Sequence, residues 1–193
     1  MASRQIPQRA DWRRNRERLL AAAAEVVASD GAAASLEEIA RRAGLGSATL
    51  HRHFPTRDAL LTEVFQDGVA RLAARGRELH ETAGGDGLAV WLEELTRYTA
   101  VTRGLALSLR HTEADAGCHG LLADVAADLA AGAVRAGRLR PRTAVADLLA
   151  LANGIAIQAE DDPELAARLL RMAMTGVELP TSPTGSGPTD AAT

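Results

Sequence analysis

The sequence predicts an all-α protein: a group of short N-terminal helices joined by a long helix to a larger C-terminal helical part. Three observations carry the all-α part. The 193 residues are 47% hydrophobic but only 3% aromatic, and the apolar content is mostly Ala and Leu, which favour helix over strand. Apolar residues recur at helical rather than alternating spacing. Each periodic stretch is closed by a glycine, a proline or a capping side chain.

Residues 1–10 are polar, contain Pro7 and read as a flexible arm. A first helix is expected from about Asp11 to Ser29, burying Leu19, Leu20, Ala23, Val26 and Val27, with Gly31 just beyond its end. Ser35 and Glu38 form a capping box, so a second helix starts at Leu36. Gly44 ends it by taking the left-handed conformation. A third helix begins near Ser47 and stops at Phe54 and Pro55, and Thr56 caps a fourth from Arg57 to about Thr82. The glycines of "GGDG" (84–87) end that helix. Further helices are expected near 88–110, 118–136, 143–159 and 163–178, with breaks at Gly117, at 137–141 and at "DDP", where Asp162 caps and Pro163 takes the first helical position. The tail "PTSPTGSGPTDAAT" has too few apolar residues to order itself and reads as disordered. The resulting division is 1–10 arm, 11–56 domain of short helices, 57–178 linker helix with the larger helical domain, and 179–193 tail.

All 22 basic residues are arginine, and the net charge is −3. Residues 1–60 carry ten arginines against seven acids, whereas the remainder is acidic, so the positive potential sits at the N-terminal end. One cysteine, Cys118, excludes an intrachain disulfide and suits a reducing compartment. The stretch "RRNRERLLAAAAEVVAS" imitates an export signal, but Glu25 interrupts its apolar part and the same residues make an amphipathic helix. No run approaches the 18 to 20 apolar residues, roughly, of a membrane span. A soluble cytoplasmic protein with no membrane partner is expected.

Within "SLEEIARRAGLGSATLHRHF" (35–54), Ile39, Ala40, Leu45, Leu50 and Phe54 supply the inward positions of two crossing short helices. That turns Ala48 and Arg52 outward, flanked by Thr49 and His51. An exposed short helix bearing small and hydrogen-bonding side chains suits a DNA major groove, which admits one helix.

The longer stretch "SLEEIARRAGLGSATLHRHFPTRDALL" resembles the helix-turn-helix of TetR-family transcriptional regulators, of the form [ST]-x-x-x-IA-x-x-AGVS-x-GTLY-x-HF-x-[ST]-K-x-x-L. Gly46 stands where the family usually has a capping Ser, Ala48 replaces Gly, His51 replaces Tyr and Arg57 replaces Lys. The stretches "TRGLALSLR" and "PELAARLLRM" resemble, more loosely, the ligand-binding half of the SbtR-like branch. The resemblance implies an N-terminal three-helix helix-turn-helix DNA-binding domain (11–56) joined by a long helix to a C-terminal helical ligand-binding and dimerisation domain (57–178), and a homodimeric repressor that binds a palindromic double-stranded DNA operator and is released by a small-molecule effector. It places Ser35, Ser47, Ala48, Thr49, His51, Arg52, His53 and Arg57 at the DNA: Thr49, His51, His53 and Arg57 on phosphates, Ala48 and Arg52 at base edges. Trp91 and Tyr98, seven residues apart, share a helix face; with Leu95, Thr102 and Leu105 they either line the effector pocket that the resemblance implies or pack as plain core. The apolar stretches near 143–159 and 163–178 would pair with those of a second subunit.

His111, Glu113, Asp115, Cys118 and His119 are the one cluster with metal-ligand chemistry. They lack a repeated ligand spacing, so no metal and no cofactor is expected. Without paired Glu-x-x-His helices, a nucleophile elbow or a phosphate-binding glycine loop, the chain is not expected to be an enzyme.

Overall fold

A computed structural model describes residues 5–108, 113–159 and 162–176, with the side chains of all but 5–9, 32, 103–108 and 113–116. Those residues form eight helices and no strand: α1 Gln5–Asp30, α2 Leu36–Arg42, α3 Ser47–His53, α4 Arg57–Thr82, α5 Gly87–Ser108, α6 Glu113–Arg135, α7 Val145–Gln158 and α8 Pro163–Met174. The tail 179–193 lies outside the described residues.

The local signals explain most boundaries. The Ser35 hydroxyl accepts from the Glu38 amide, Thr56 from the Ala59 amide, and Asp162 from those of Glu164 and Leu165. Gly44 turns the chain with φ +63°. The capping box is only half made, because the Glu38 carboxylate binds the Arg41 and Arg42 guanidiniums instead of returning to Ser35. Oppositely charged side chains three and four residues on lie on the same helix face and outcompete the cap.

Three expectations are corrected. The first helix starts at Gln5 rather than Asp11, since a proline in the first turn needs no amide partner and Pro7 does not stop it. Gly117 lies inside α6 rather than at a break. Residues Gly117–Arg135 also reach the length and mean hydropathy, 1.2, of a membrane span. One face of the segment, with Val125, Ala126, Leu129 and Ala133, is buried in a core, while Asp124 and Asp128 are exposed.

There are two main cores. Leu19, Ala23, Val26, Ile39, Leu50, Phe54, Leu60, Leu61 and Val64 unite α1, α2 and α3 with the first turns of α4. Leu72, Leu79, Trp91, Leu92, Leu129, Leu148 and Leu170 unite the rest of α4 with α5 to α8. The head and the body thus share one 26-residue helix. They also touch at a second place: α5 packs against α1 and against the single 3-10 turn Gly31–Ala33 that joins α1 to α2. A side chain built on Gly31 would come within 3.8 Å of the Val101 carbonyl.

Two glycines inside α4 set how closely its neighbours approach. A Cβ on Gly68 would lie 2.3 Å from the Tyr98 hydroxyl, and one on Gly76 would lie 2.2 Å from Val125 and 2.8 Å from the Trp91 indole nitrogen. A belt of ion pairs then ties α5 to α8: Glu93 binds Arg97 and Arg171, and Arg97 also reaches Glu164 at 3.2 Å.

Candidate DNA interface and effector cavity

The recognition segment is a seven-residue helix with a buried and a bare face. Leu50 and Phe54 are buried in the head, and Ser47, Ala48, His51 and Arg52 are exposed. Thr49, His53 and Arg57 are half-buried. Gly46 occupies the N-cap in extended conformation and offers no side chain to the first amides of α3. Ser35 is exposed too, with its hydroxyl engaged as the α2 cap.

The arginine bonds sort the basic residues. Arg16 forms a two-pronged ion pair with Glu63 and lies 4.9 Å over the Phe54 ring, so it clamps α1 to α4 across the base of α3. Arg18 donates to the Ala43 carbonyl at the end of α2. Arg13 and Arg14 pair on the surface with Glu17 and Asp11. Arg52 bonds the Ala48 carbonyl of its own helix at 3.2 Å, which lays the guanidinium along the bare face. Arg57 donates to the Ala34 carbonyl at 3.3 Å, bracing the chain just before α2. Arg4 and Arg9 fall outside the described side chains.

His53 is placed differently from the other exposed-face residues. Its ring stacks on Trp12 of α1 with centroids 3.7 Å apart, and its Nδ1 is buried without a partner among the described residues. Burial, reinforced by the charges of Arg16 and Arg52, holds its pKa below the ordinary imidazole value. The sequence offered no hint of the Trp12 contact, which joins residues 41 positions apart.

The body contains a cavity of about 340 Å³ bounded by α4, α5, α6 and α7. Phe65 and Val69 enter from α4, Leu95, Tyr98, Thr99 and Thr102 from α5, Cys118, His119 and Leu122 from α6, and Leu149, Ala150, Ala152 and Asn153 from α7. Leu95, Tyr98 and Thr102 are among the residues that line this cavity. Trp91 is not. It is fully buried two turns nearer the start of α5, facing α4 as Tyr98 does, and donates its indole N–H to the Leu72 carbonyl at 2.9 Å in the space left by Gly76. The Leu105 side chain lies outside the described ones.

Tyr98 spans the wall: its hydroxyl donates to the Phe65 carbonyl at 3.0 Å, and burial pushes its phenol well above the ordinary range, so it stays a neutral donor. Cys118 and His119, two members of the cluster with metal-ligand chemistry, both line this cavity. His111 lies outside the described residues, as do the side chains of Glu113 and Asp115. Among the described residues no three His, Cys, Asp or Glu side chains gather as a metal site.

A helix-turn-helix with a bare recognition helix, carried by a long shared helix on a helical body with an internal cavity, defines the class of helix-turn-helix transcriptional regulators. Residues 19–64 match the family model of bacterial regulatory proteins of the tetR family, and residues 83–179 match that of the C-terminal domain of SbtR-like transcriptional regulators. Among solved structures, the TetR regulator SCO0520 of Streptomyces coelicolor is 31% identical, with TM-score 0.72 over 86% of this chain and 99% of that one. A TetR transcription regulatory protein of Mycobacterium vanbaalenii is 32% identical, with TM-score 0.71 over 90% of this chain and 100% of that one. FadR of Bacillus subtilis, solved with stearoyl-CoA, shares the fold at 17% identity, with TM-score 0.56 over 83% of this chain and 98% of that one. No curated protein sequence matches the chain. The chain belongs to the TetR family, and its C-terminal half to the SbtR-like branch.

Proposed function

We propose that the protein is a homodimeric cytoplasmic repressor that binds a near-palindromic operator through α3 and is released when a small molecule occupies the cavity. It acts by binding and not by catalysis. The head comprises residues up to 56 and the effector and dimerisation body residues 57–178. The observation that carries this reading is the two-faced α3, whose Leu50 is locked into the head core while Ala48, His51 and Arg52 stand bare beside one another.

Ala48 lets the helix approach a groove floor, and Arg52 pairs with guanine O6 and N7. Ser47, Thr49, His51 and His53 hold phosphates on either side, and Ser35 stands at the flank. Arg57 has five N–H donors, so it can keep the Ala34 carbonyl and take a phosphate at once. Dimerisation uses α7 and α8, whose outer faces leave Leu151, Ile157 and Met172 exposed and Gly154 with open space around it. A dimer sets two recognition helices about one DNA turn apart, which a half-site reader needs.

The effector works only by favouring a body geometry that spoils that spacing. The cavity is suited to this, since its wall includes α4, which enters the head, and α7, which carries the dimer face. A family member of the same fold, FadR, was solved with stearoyl-CoA, which supports ligand control in principle.

The test is capture of sheared genomic DNA by the purified protein at near-physiological salt, where nonspecific phosphate binding is weak. Enrichment of a short palindrome near promoters is expected. Recovery of no common sequence by a folded dimer would overturn the operator reading.

A further inference from the structure

The effector cavity has three hydroxyls in its wall, and each already donates its proton to a backbone carbonyl. Tyr98 donates to Phe65 at 3.0 Å, Thr99 to Leu95 at 2.9 Å and Thr102 to Tyr98 at 2.7 Å. A hydroxyl oxygen has two lone pairs and one proton. With the protons committed, these three oxygens can only accept. The polar stripe that α5 shows the cavity is therefore an acceptor surface.

Charge complements this. Among the described residues lining the cavity there is no arginine, aspartate or glutamate. His119, the one described lining side chain able to carry a positive charge, is exposed. An anion drawn in would lose hydration beside Phe65, Val69 and Leu95 with no arginine among the described lining residues to replace it, and on the α5 side its oxygens would face lone pairs. Size narrows the class further. A cavity of about 150 Å³ holds one benzene ring, so 340 Å³ accommodates about two fused rings.

Resting on the reading of this cavity as the effector site, we propose that the effector is an uncharged molecule of about two rings that presents a hydroxyl or N–H donor to the Tyr98, Thr99 and Thr102 oxygens. Phenols, alcohols and amides belong to the class. Carboxylates and phosphorylated compounds do not.

Calorimetric titration of the full-length protein with naphthol, its methyl ether and naphthalene carboxylate tests each clause. The three share a ring system and differ in donor and charge. Naphthol is expected to bind, the ether about two- to tenfold more weakly for want of one hydrogen bond, and the carboxylate about a hundredfold more weakly or worse. Thr102→Val removes one acceptor while keeping the shape. It is expected to weaken naphthol and leave the ether unchanged, narrowing the gap between them. Thr99→Val serves the same purpose if that variant does not fold. An ether that binds as tightly as naphthol would overturn the donor assignment. A carboxylate that binds best would overturn the class while leaving the cavity as an effector site. If none of the three binds, the proposal and the effector reading of the cavity fail together.

Discussion

Gly76→Ala separates packing from helix propensity in one substitution. Propensity alone favours the change, because alanine in a helix interior is better than glycine by about 1 kcal/mol. The surroundings oppose it. The new methyl carbon would lie 2.2 Å from Val125 and 2.8 and 3.1 Å from two atoms of the Trp91 indole, and Trp91 is completely buried. Overpacking of this kind costs about 1–3 kcal/mol. Shifting the indole also endangers its hydrogen bond to the Leu72 carbonyl, which costs a further ~1–3 kcal/mol if the buried N–H is orphaned. With the propensity gain subtracted, the variant should be less stable by about 3 kcal/mol, a drop of roughly 6–12 °C in Tm for a chain of this size. Gly68→Ala is the matched control. Its methyl would lie 2.3 Å from the Tyr98 hydroxyl, but Tyr98 borders the cavity and has space into which to swing. Thermal melts by circular dichroism should therefore show a small change for Gly68→Ala and a large loss for Gly76→Ala. Equal melting temperatures, or a more stable Gly76→Ala, would refute the close-packing argument.

Arg52→Ala should cost about 1–3 kcal/mol at the operator and relax preference at one base position, whereas Arg57→Ala should weaken all sequences alike and flatten the salt dependence by about one. Competition binding on single-base operator variants at several salt concentrations distinguishes them, and a uniform loss for Arg52→Ala would place that side chain on phosphate. His53 has a lowered pKa in the folded head, so the unfolded chain takes up its proton first as pH falls. Its contribution is complete above about pH 6.5 and is lost as pH drops through the lowered folded value. Urea melts of the wild type should weaken over that window and those of His53→Asn should not; a wild type that gains stability on acidification would reverse the assignment. Ile157→Glu sets like charges on both sides of the proposed dimer face and should weaken association by at least about a hundredfold with helicity retained. A variant that sediments as a dimer at the same concentration would move the interface elsewhere.

The head was largely legible in the sequence because its signals are local. A capping serine, a left-handed glycine and an apolar pair four residues apart each act within one or two turns, and Ser35, Gly44 and the Leu50–Phe54 pair stand as expected. The body was less legible because its cavity is assembled from four helices. Helix phase put Trp91 and Tyr98 on the same side of α5, but seven residues also separate them by about 10 Å along the axis. That distance puts Trp91 beside Gly76 and Tyr98 beside Gly68, so one fills a core and the other bounds a void. The two α4 glycines were the available signal: small residues eight apart in a helix mark where large neighbours come close. Cys118 and His119 were noticed for their chemistry, yet only the continuation of α6 through Gly117 sets them beside α5.

The head meets the body at two separate places, the shared helix α4 and the seam between α5 and the Gly31–Ala33 turn. A rigid object pinned at two points retains a single freedom, rotation about the line through the pins. The two recognition helices of a dimer would then swing along one fixed arc each, like doors on their hinges, and effectors of unrelated shape would differ in how far they push the doors but not in the path. Operator release would be graded along one coordinate, and the α5 seam would set its direction.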